Sequence, residues 1–477
     1  MLGEQGERGA LEVFPRVRAD QVPVLGRMPE RAVQVDGIDG GPTGPGADHV
    51  TRGAQVGDDG RAAHSVTSAA VQHRHLVIRP DLMGDSALTE QRPSGAGSPK
   101  GASPSDIARR AAPKAPTSRR DPKLVVCLSG GGYRAMLYHL GALRRLNEFG
   151  LLSVVDRFSS VSGGSITAAV LARDWETLGF NQDGIAQGFE SVERVLFDLA
   201  GKTIDWQSGV VGAVPGTTGA RQLARRYRRL LFGEATLQDL PSERPRFVFN
   251  TTNMATGNLF RWSRPYGADH SVGRIDWPTL GLAEVVAASS AFPPFLSPLR
   301  IRPPGTIVDH TIGLPVDDPP SRLWLTDGGV YDNLGMQTAQ SFHTVLASDG
   351  GAPLTYASHV GHNWGSQTLR TVGLVYAQVS RLRRHQFVEE LMRGERLGAL
   401  WTIATRMTDY IAPDTLPCPF SATRMLADLP TRLVKVPVET RRRLINWGYA
   451  SADAAIRSYV EPSLPAPSGM PHPGGVG

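Results

Sequence analysis

A chain of 477 residues has room for two or three average domains, or for one large α/β enzyme with extensions. Its two cysteines exclude a disulfide scaffold and any multi-cysteine zinc or iron–sulfur site, and no apolar run reaches the roughly 18 residues of a membrane-spanning helix. A net charge of +6 on 20% charged residues is too mild an excess to argue for nucleic acid and fits anionic lipid headgroups equally well.

The first residues lack the apolar stretch of a secretory signal, so the expected location is cytoplasmic or peripheral at a membrane. Residues 1–121 are rich in Gly, Pro, Arg and Asp without a period of 3.6 or 2 and are expected to form a disordered arm ending in a basic Pro/Ser linker. Such a stretch cannot bury enough apolar surface to offset about 1–2 kcal/mol of backbone entropy per residue. His73 and His75 within it are read as stray histidines rather than metal ligands. From 122 the character changes. Leu124 to Leu128 is a continuous apolar run, as in a buried parallel strand. A glycine loop follows, then a helix from Ala135 to Phe149, with Met136, Leu140, Leu143 and Leu146 on one face and Arg144 and Arg145 away from it. A strand over Arg157–Val161, a Ser-Gly-Gly turn and a helix over Ser165–Arg173 complete a β–loop–α–β–turn–α pattern, which predicts an α/β fold with a mainly parallel central sheet.

Residues 174–245 read as a helical insertion. Within it Arg221–Phe232 sets Leu223, Tyr227, Leu230 and Leu231 against a face of arginines, either a solvated face or a lipid-headgroup contact. Arg246–Asn253 and Thr344–Asp349 are strand candidates, and Arg370–Val379 fits a strand or a helix. Residues 351–461 form an α-rich extension packed on the core. It ends in a helix over Glu439–Tyr459 with Leu444, Ile445, Gly448, Ala452 and Ile456 inward. The tail 462–477 is expected to be disordered.

Three short stretches carry candidate chemistry. In Ser129-Gly130-Gly131-Gly132-Tyr133-Arg134, between a strand and a helix, bare backbone N–H groups at a helix N-terminus can hold a phosphate or an oxyanion. No Gly-Lys-Ser/Thr follows, so it is not a P-loop, and Ala135 stands where a dinucleotide fingerprint needs its third glycine. In Ser160-Val161-Ser162-Gly163-Gly164, a serine between a strand and a helix has the setting of a nucleophile elbow. Ser159, Ser160 and Ser165 are its rivals. In Asp327-Gly328-Gly329, a buried carboxylate beside a serine can act as general base, because desolvation raises its pKa toward neutrality. Asp349, in a second Asp-Gly-Gly, competes for that role.

Together these stretches, from Leu124 to Gly335, resemble the patatin-like phospholipases. The resemblance implies a three-layer fold with residues 122–350 as catalytic core, and a lipid acyl hydrolase of phospholipase A type needing no cofactor or metal. It implies Ser162 as nucleophile, Asp327 as its partner, and Gly130, Gly131, Gly132 and Arg134 as the oxyanion loop, with Ser160, Gly163 and Gly164 shaping the elbow. Ser160 departs from the family's GxSxG pattern. Asp327 is preferred to Asp349 because TDGGVYDNLG resembles the family's catalytic segment. The implied partners are a lipid or acyl ester and a peripheral membrane surface, not nucleic acid. The apolar Phe292–Leu296 segment lines an acyl pocket or packs in the core. Cys127 and Tyr133 are read as packing residues, and Cys418, between two prolines, as a loop thiol. Two alternatives stand: a Ser-Asp-His hydrolase using His343, His359, His362 or His385, and a non-catalytic lipid- or phosphate-binding module.

Overall fold

The computed structural model describes residues 124–204, 218–294, 296–308, 320–354 and 357–477. The N-terminal arm with His73 and His75, residues 205–217 of the insertion, and Phe295 lie outside the described residues. In chain order the elements are β1 (Leu124–Leu128), α1 (Gly132–Glu148), β2 (Val155–Ser160), α2 (Gly163–Asp174), α3 (Phe189–Leu199), α4 (Gly219–Tyr227) and β3 (Arg246–Asn253). Then come β4 (Leu259–Trp262), β5 (Tyr266–Asp269), β6 (Gly273–Asp276), α5 (Leu282–Ser289), β7 (Leu299–Ile301), β8 (Ile307–Val308), β9 (Leu323–Asp327) and α6 (Gly329–Asp332). The chain closes with β10 (Thr344–Asp349), α7 (Trp364–Met392), β11 (Leu397–Thr402), α8 (Phe420–Ala427) and α9 (Val438–Tyr459).

The fold is α/β around one sheet. Its core, β11–β10–β1–β2–β3, is parallel throughout, and antiparallel β4, β5, β6 and β8 extend it. β1 lies in the middle with both faces covered, which is why it reads as an unbroken apolar run. Leu124, Val126 and Leu128 face a core shared with α1, α2 and α9. Val125 and Cys127 face a second cluster that includes Leu334, Phe342 and Phe387 of α7.

One detail of register positions the site. β3 has β4 along one edge. Its other edge is shared: Phe249 pairs with Ser160 at the end of β2, and Thr251 pairs with Asp327 at the end of antiparallel β9. The C-terminal ends of β2 and β9 therefore meet along β3, and the residues just past Ser160 come beside Asp327.

α1 begins at Gly132, three residues earlier than its apolar period suggests, because the glycine loop supplies its first turn. It is buried nearly all round. It crosses α9 at two glycines, where an added Cβ would lie 1.9 Å from Ile445 O (at Gly141) and 1.8 Å from Tyr138 O (at Gly448). This second coat changes one expectation: Arg145 is buried rather than outward, 2.8 Å from the buried Asp453 carboxylate. Arg144 remains partly exposed and pairs with Glu193.

α4 stops at Tyr227 and continues as a π turn over Arg228–Phe232, with Leu223, Tyr227 and Leu231 buried. The segment left open between strand and helix at 370–379 is helical, within α7. The inward set on α9 is buried as expected. The tail beyond 462 is a correction: it folds back onto α9. Asn446 donates to His472 O (2.9 Å) and Gly475 O (2.6 Å) and accepts from His472 N (2.9 Å), and Val476 is buried. One buried amide on α9 thus gives an irregular, Pro/Gly-rich segment the backbone partners it cannot find in itself. Among the described residues no helix is long and apolar enough to cross a membrane.

Candidate active site

Ser162 lies at the turn between β2 and α2 with φ 51° and ψ −117°, a conformation that costs of order 1–3 kcal/mol for a residue with a Cβ. Its surroundings hold it there. Val161 N donates to Leu128 O (3.0 Å), Gly164 N to Ser129 O (3.1 Å), and Ser162 N to Ser289 Oγ (3.0 Å). The two following residues must be glycine. A Cβ on Gly163 would lie 2.3 Å from Gly132 O, and one on Gly164 would lie 2.4 Å from Leu128 O. The elbow and the glycine loop are in backbone contact.

The three loop glycines differ in what their N–H groups do. Gly130 N donates to Asn333 O (3.1 Å) and is occupied. The N–H groups of Gly131 and Gly132, and that of Gly163, donate to no acceptor among the described residues. Gly131 and Gly132 have φ of 148° and 61°, which keeps their amides turned out of the regular helix pattern. These bare amides stand at the starts of α1 and α2, which meet at Gly132 and Gly163, and the dipoles of both helices favour negative charge there.

Arg134 departs from its expected place in the oxyanion loop. Its buried guanidinium donates to Gly350 O (3.0 Å), to Leu429 O and to Thr431 Oγ1 (3.1 Å). It ties the start of α1 to the turn after β10 and to the α8–α9 connection. His139, one turn further along, bridges Ser129 O (2.9 Å) and Ser348 Oγ (2.8 Å), and burial lowers its pKa to about 4. Both side chains brace the loop from behind.

Asp327 ends β9, buried, with its N–H on Ala291 O (3.1 Å) and its carbonyl accepting from Thr252 Oγ1 (2.9 Å). Its carboxyl accepts from Gly329 N (2.8 Å) and has the Ser162 side chain as a neighbour. Desolvation raises its pKa to about 7, and the Gly329 N–H and then Ser162 limit the rise. Gly328 and Gly329 allow the approach: a Cβ on Gly328 would lie 2.3 Å from Asn250 O.

The rival residues are engaged elsewhere. Ser159 Oγ donates to Gly335 O (2.6 Å), Ser160 Oγ to Val248 O (3.2 Å), and Ser165 Oγ lies 2.8 Å from Ser289 Oγ. Asp349 accepts from Gly351 N and pairs with Arg384 at 3.3 Å. His343, His359, His362 and His385 are all exposed, whereas Asp327 is buried. Cys127 and Cys418 are buried, and burial raises both thiols. Four contributors were not singled out from sequence. They are Ser289, Asn333, His139 and Tyr376; Asn333 falls inside the TDGGVYDNLG stretch, whereas His139 and Tyr376 had no local signal. The Tyr376 hydroxyl reaches in from α7, where a Cβ on Gly329 would come within 2.5 Å of it. Burial, then the Asp327 charge, raises its pKa. Its ring meets Phe292 edge-on at 6.0 Å.

Fold and site together define an α/β protein with a serine–aspartate pair at a strand–helix elbow, facing a glycine loop. Residues 126–339 match the family model for patatin-like phospholipase. A putative meiotic phospholipase, SPO1, of Saccharomyces cerevisiae is 43% identical over 44 residues, 9% of this chain and 7% of that protein. Human GIVD cytosolic phospholipase A2 aligns at a TM-score of 0.43 with 15% identity, covering 69% of this chain and 58% of that one. VipD from Legionella pneumophila aligns at 0.29 with 15% identity, covering 70% and 66%. The chain thus spans under two thirds of each of these proteins.

Proposed function

We propose that this protein hydrolyses carboxylic ester bonds of lipids, in the manner of a phospholipase A, through an acyl-enzyme on Ser162. The observation that carries the reading is a buried Asp327 whose pKa is raised to about 7, with the elbow serine Ser162 beside it. In this mechanism Asp327 takes the hydroxyl proton as Oγ attacks the ester carbonyl. The carbonyl oxygen, now negative, is received by the N–H groups of Gly131, Gly132 and Gly163. A donor of this kind contributes about 2.7–4 kcal/mol of transition-state stabilisation. Asp327 returns the proton to the departing alcohol, and water attacks the acyl-enzyme by the same route. Gly130, whose N–H is bound to Asn333 O, and Arg134 shape the loop without touching substrate. A dyad is favoured over a Ser-Asp-His triad because Asp327 is buried beside Ser162, whereas His343, His359, His362 and His385 are exposed. Phospholipids and other acyl esters are the substrate class the family suggests.

The test is a fluorophosphonate probe with a panel of lipid esters, applied to wild type, Ser162→Ala, Asp327→Ala and Asp349→Ala. Labelling and hydrolysis are expected to vanish in the first two variants and survive in the third. Undiminished hydrolysis by Ser162→Ala would refute the proposal.

A further inference from the structure

We propose that a groove built by α4, β7 and the start of β9 is a binding site for a compact polyphosphorylated group, separate from the dyad. The groove encloses about 590 Å³, and six arginines line it: Arg221, Arg225, Arg228, Arg300, Arg302 and Arg322. They come from two places. Arg221, Arg225 and Arg228 recur at i, i+4 and i+7 on one face of α4 and its π turn. Arg300, Arg302 and Arg322 stand on and beside the antiparallel pair β7–β9.

The lining contains one carboxylate, Glu284, and Arg228 already holds it. Arg228 also lies 3.7 Å from Glu234. Arg300 lies over the Trp324 ring at 5.3 Å, a cation–π contact rather than an ion pair. Arg221, Arg225, Arg302 and Arg322 have no acidic partner among the described residues. Other surface arginines, Arg244, Arg274, Arg393 and Arg424, each pair with Asp or Glu.

Six like charges around one concavity repel one another, and the fold gains nothing visible from holding them together. A multivalent anion removes that repulsion. Guanidinium forks match phosphate oxygens two at a time, and arginines on opposite walls suit several phosphates on one small scaffold better than a single ion. The groove is also well placed. Arg322 immediately precedes β9, and Asp327 ends it, so at about 3.4 Å per residue the two lie roughly 17 Å apart. A ligand held here leaves the dyad free. The shared chemistry fits either a soluble polyphosphate or a polyphosphorylated lipid headgroup.

The test uses the full chain carrying Ser162→Ala, so that it does not depend on catalysis. One arm titrates inositol hexakisphosphate by calorimetry. The other sediments the protein with phosphatidylcholine vesicles, with and without phosphatidylinositol bisphosphate. Binding is expected in at least one arm, weaker at high salt, and at least about tenfold weaker in Arg225→Glu/Arg322→Glu, since each lost charge-assisted contact is worth more than a tenfold step. Arg442→Glu, which removes a positive charge from α9, is expected to leave binding unchanged. Should the double reversal lower the unfolding midpoint, Arg225→Gln on the exposed face of α4 replaces it, with a smaller loss in the same direction. Binding in the soluble arm alone identifies a free polyphosphate; binding in the vesicle arm as well identifies a headgroup. No binding in either arm, or binding equally weakened by Arg442→Glu, overturns the proposal.

Discussion

Replacing Asp327 with Asn separates the cost of the site from its use. The carboxyl is 2% exposed, and its pKa rises from 3.8 to about 7, mainly through desolvation. A raised acid binds its proton more tightly folded than unfolded, so the fold loses stability as pH climbs through that window. The penalty is absent below pH 3.8, grows up to pH 7, and is constant above it. At about 1.4 kcal/mol per pKa unit, the full penalty is on the order of 4 kcal/mol. Asn keeps an acceptor for Gly329 N–H and carries no charge. The expected result is an inactive Asp327→Asn protein that is more stable than wild type at pH 8, by on the order of 4 kcal/mol beyond any difference seen at pH 4. Urea unfolding of both proteins across pH 4 to 8.5 measures this, because every other titrating group cancels in the difference. A difference that stays flat across this range, or that shrinks as pH rises, would refute the argument that burial sets the carboxyl's pKa.

Gly163→Ala puts a methyl 2.3 Å from Gly132 O, and both partners are backbone. The elbow and the glycine loop must then part, and ester hydrolysis should fall at least tenfold, by about 1.4 kcal/mol or more in kcat/KM, even where circular dichroism shows an intact fold. Arg134→Met leaves Gly350 O and Leu429 O without their donor. Stranded buried acceptors cost about 1–3 kcal/mol each, so the urea midpoint should fall clearly. If Arg134 instead contacted the oxyanion directly, kcat would collapse with the midpoint unchanged.

The parts legible in the sequence are those whose meaning is local. Glycines that admit positive φ, a serine between strand and helix, and an Asp-Gly-Gly after an apolar strand each constrain their own backbone, and in the structure the elbow after Ser162 touches the glycine loop at Gly163 and Gly132. The roles of Arg134 and Gly130 were not legible, because each depends on partners that fold in from elsewhere: Leu429 and Thr431 for one, Asn333 for the other. Arg145 was misplaced for the same reason, since a helix period cannot announce a second coat such as α9.

Sequence alone determined which groups are available and in which turns they stand, for local sterics act within a few residues. Tertiary structure alone decided which amides remain bare, how far burial lifts the Asp327 carboxyl, and that arginines from α4 and from β7–β9 share one groove. Those are consequences of desolvation and proximity, which come into being only when distant segments pack.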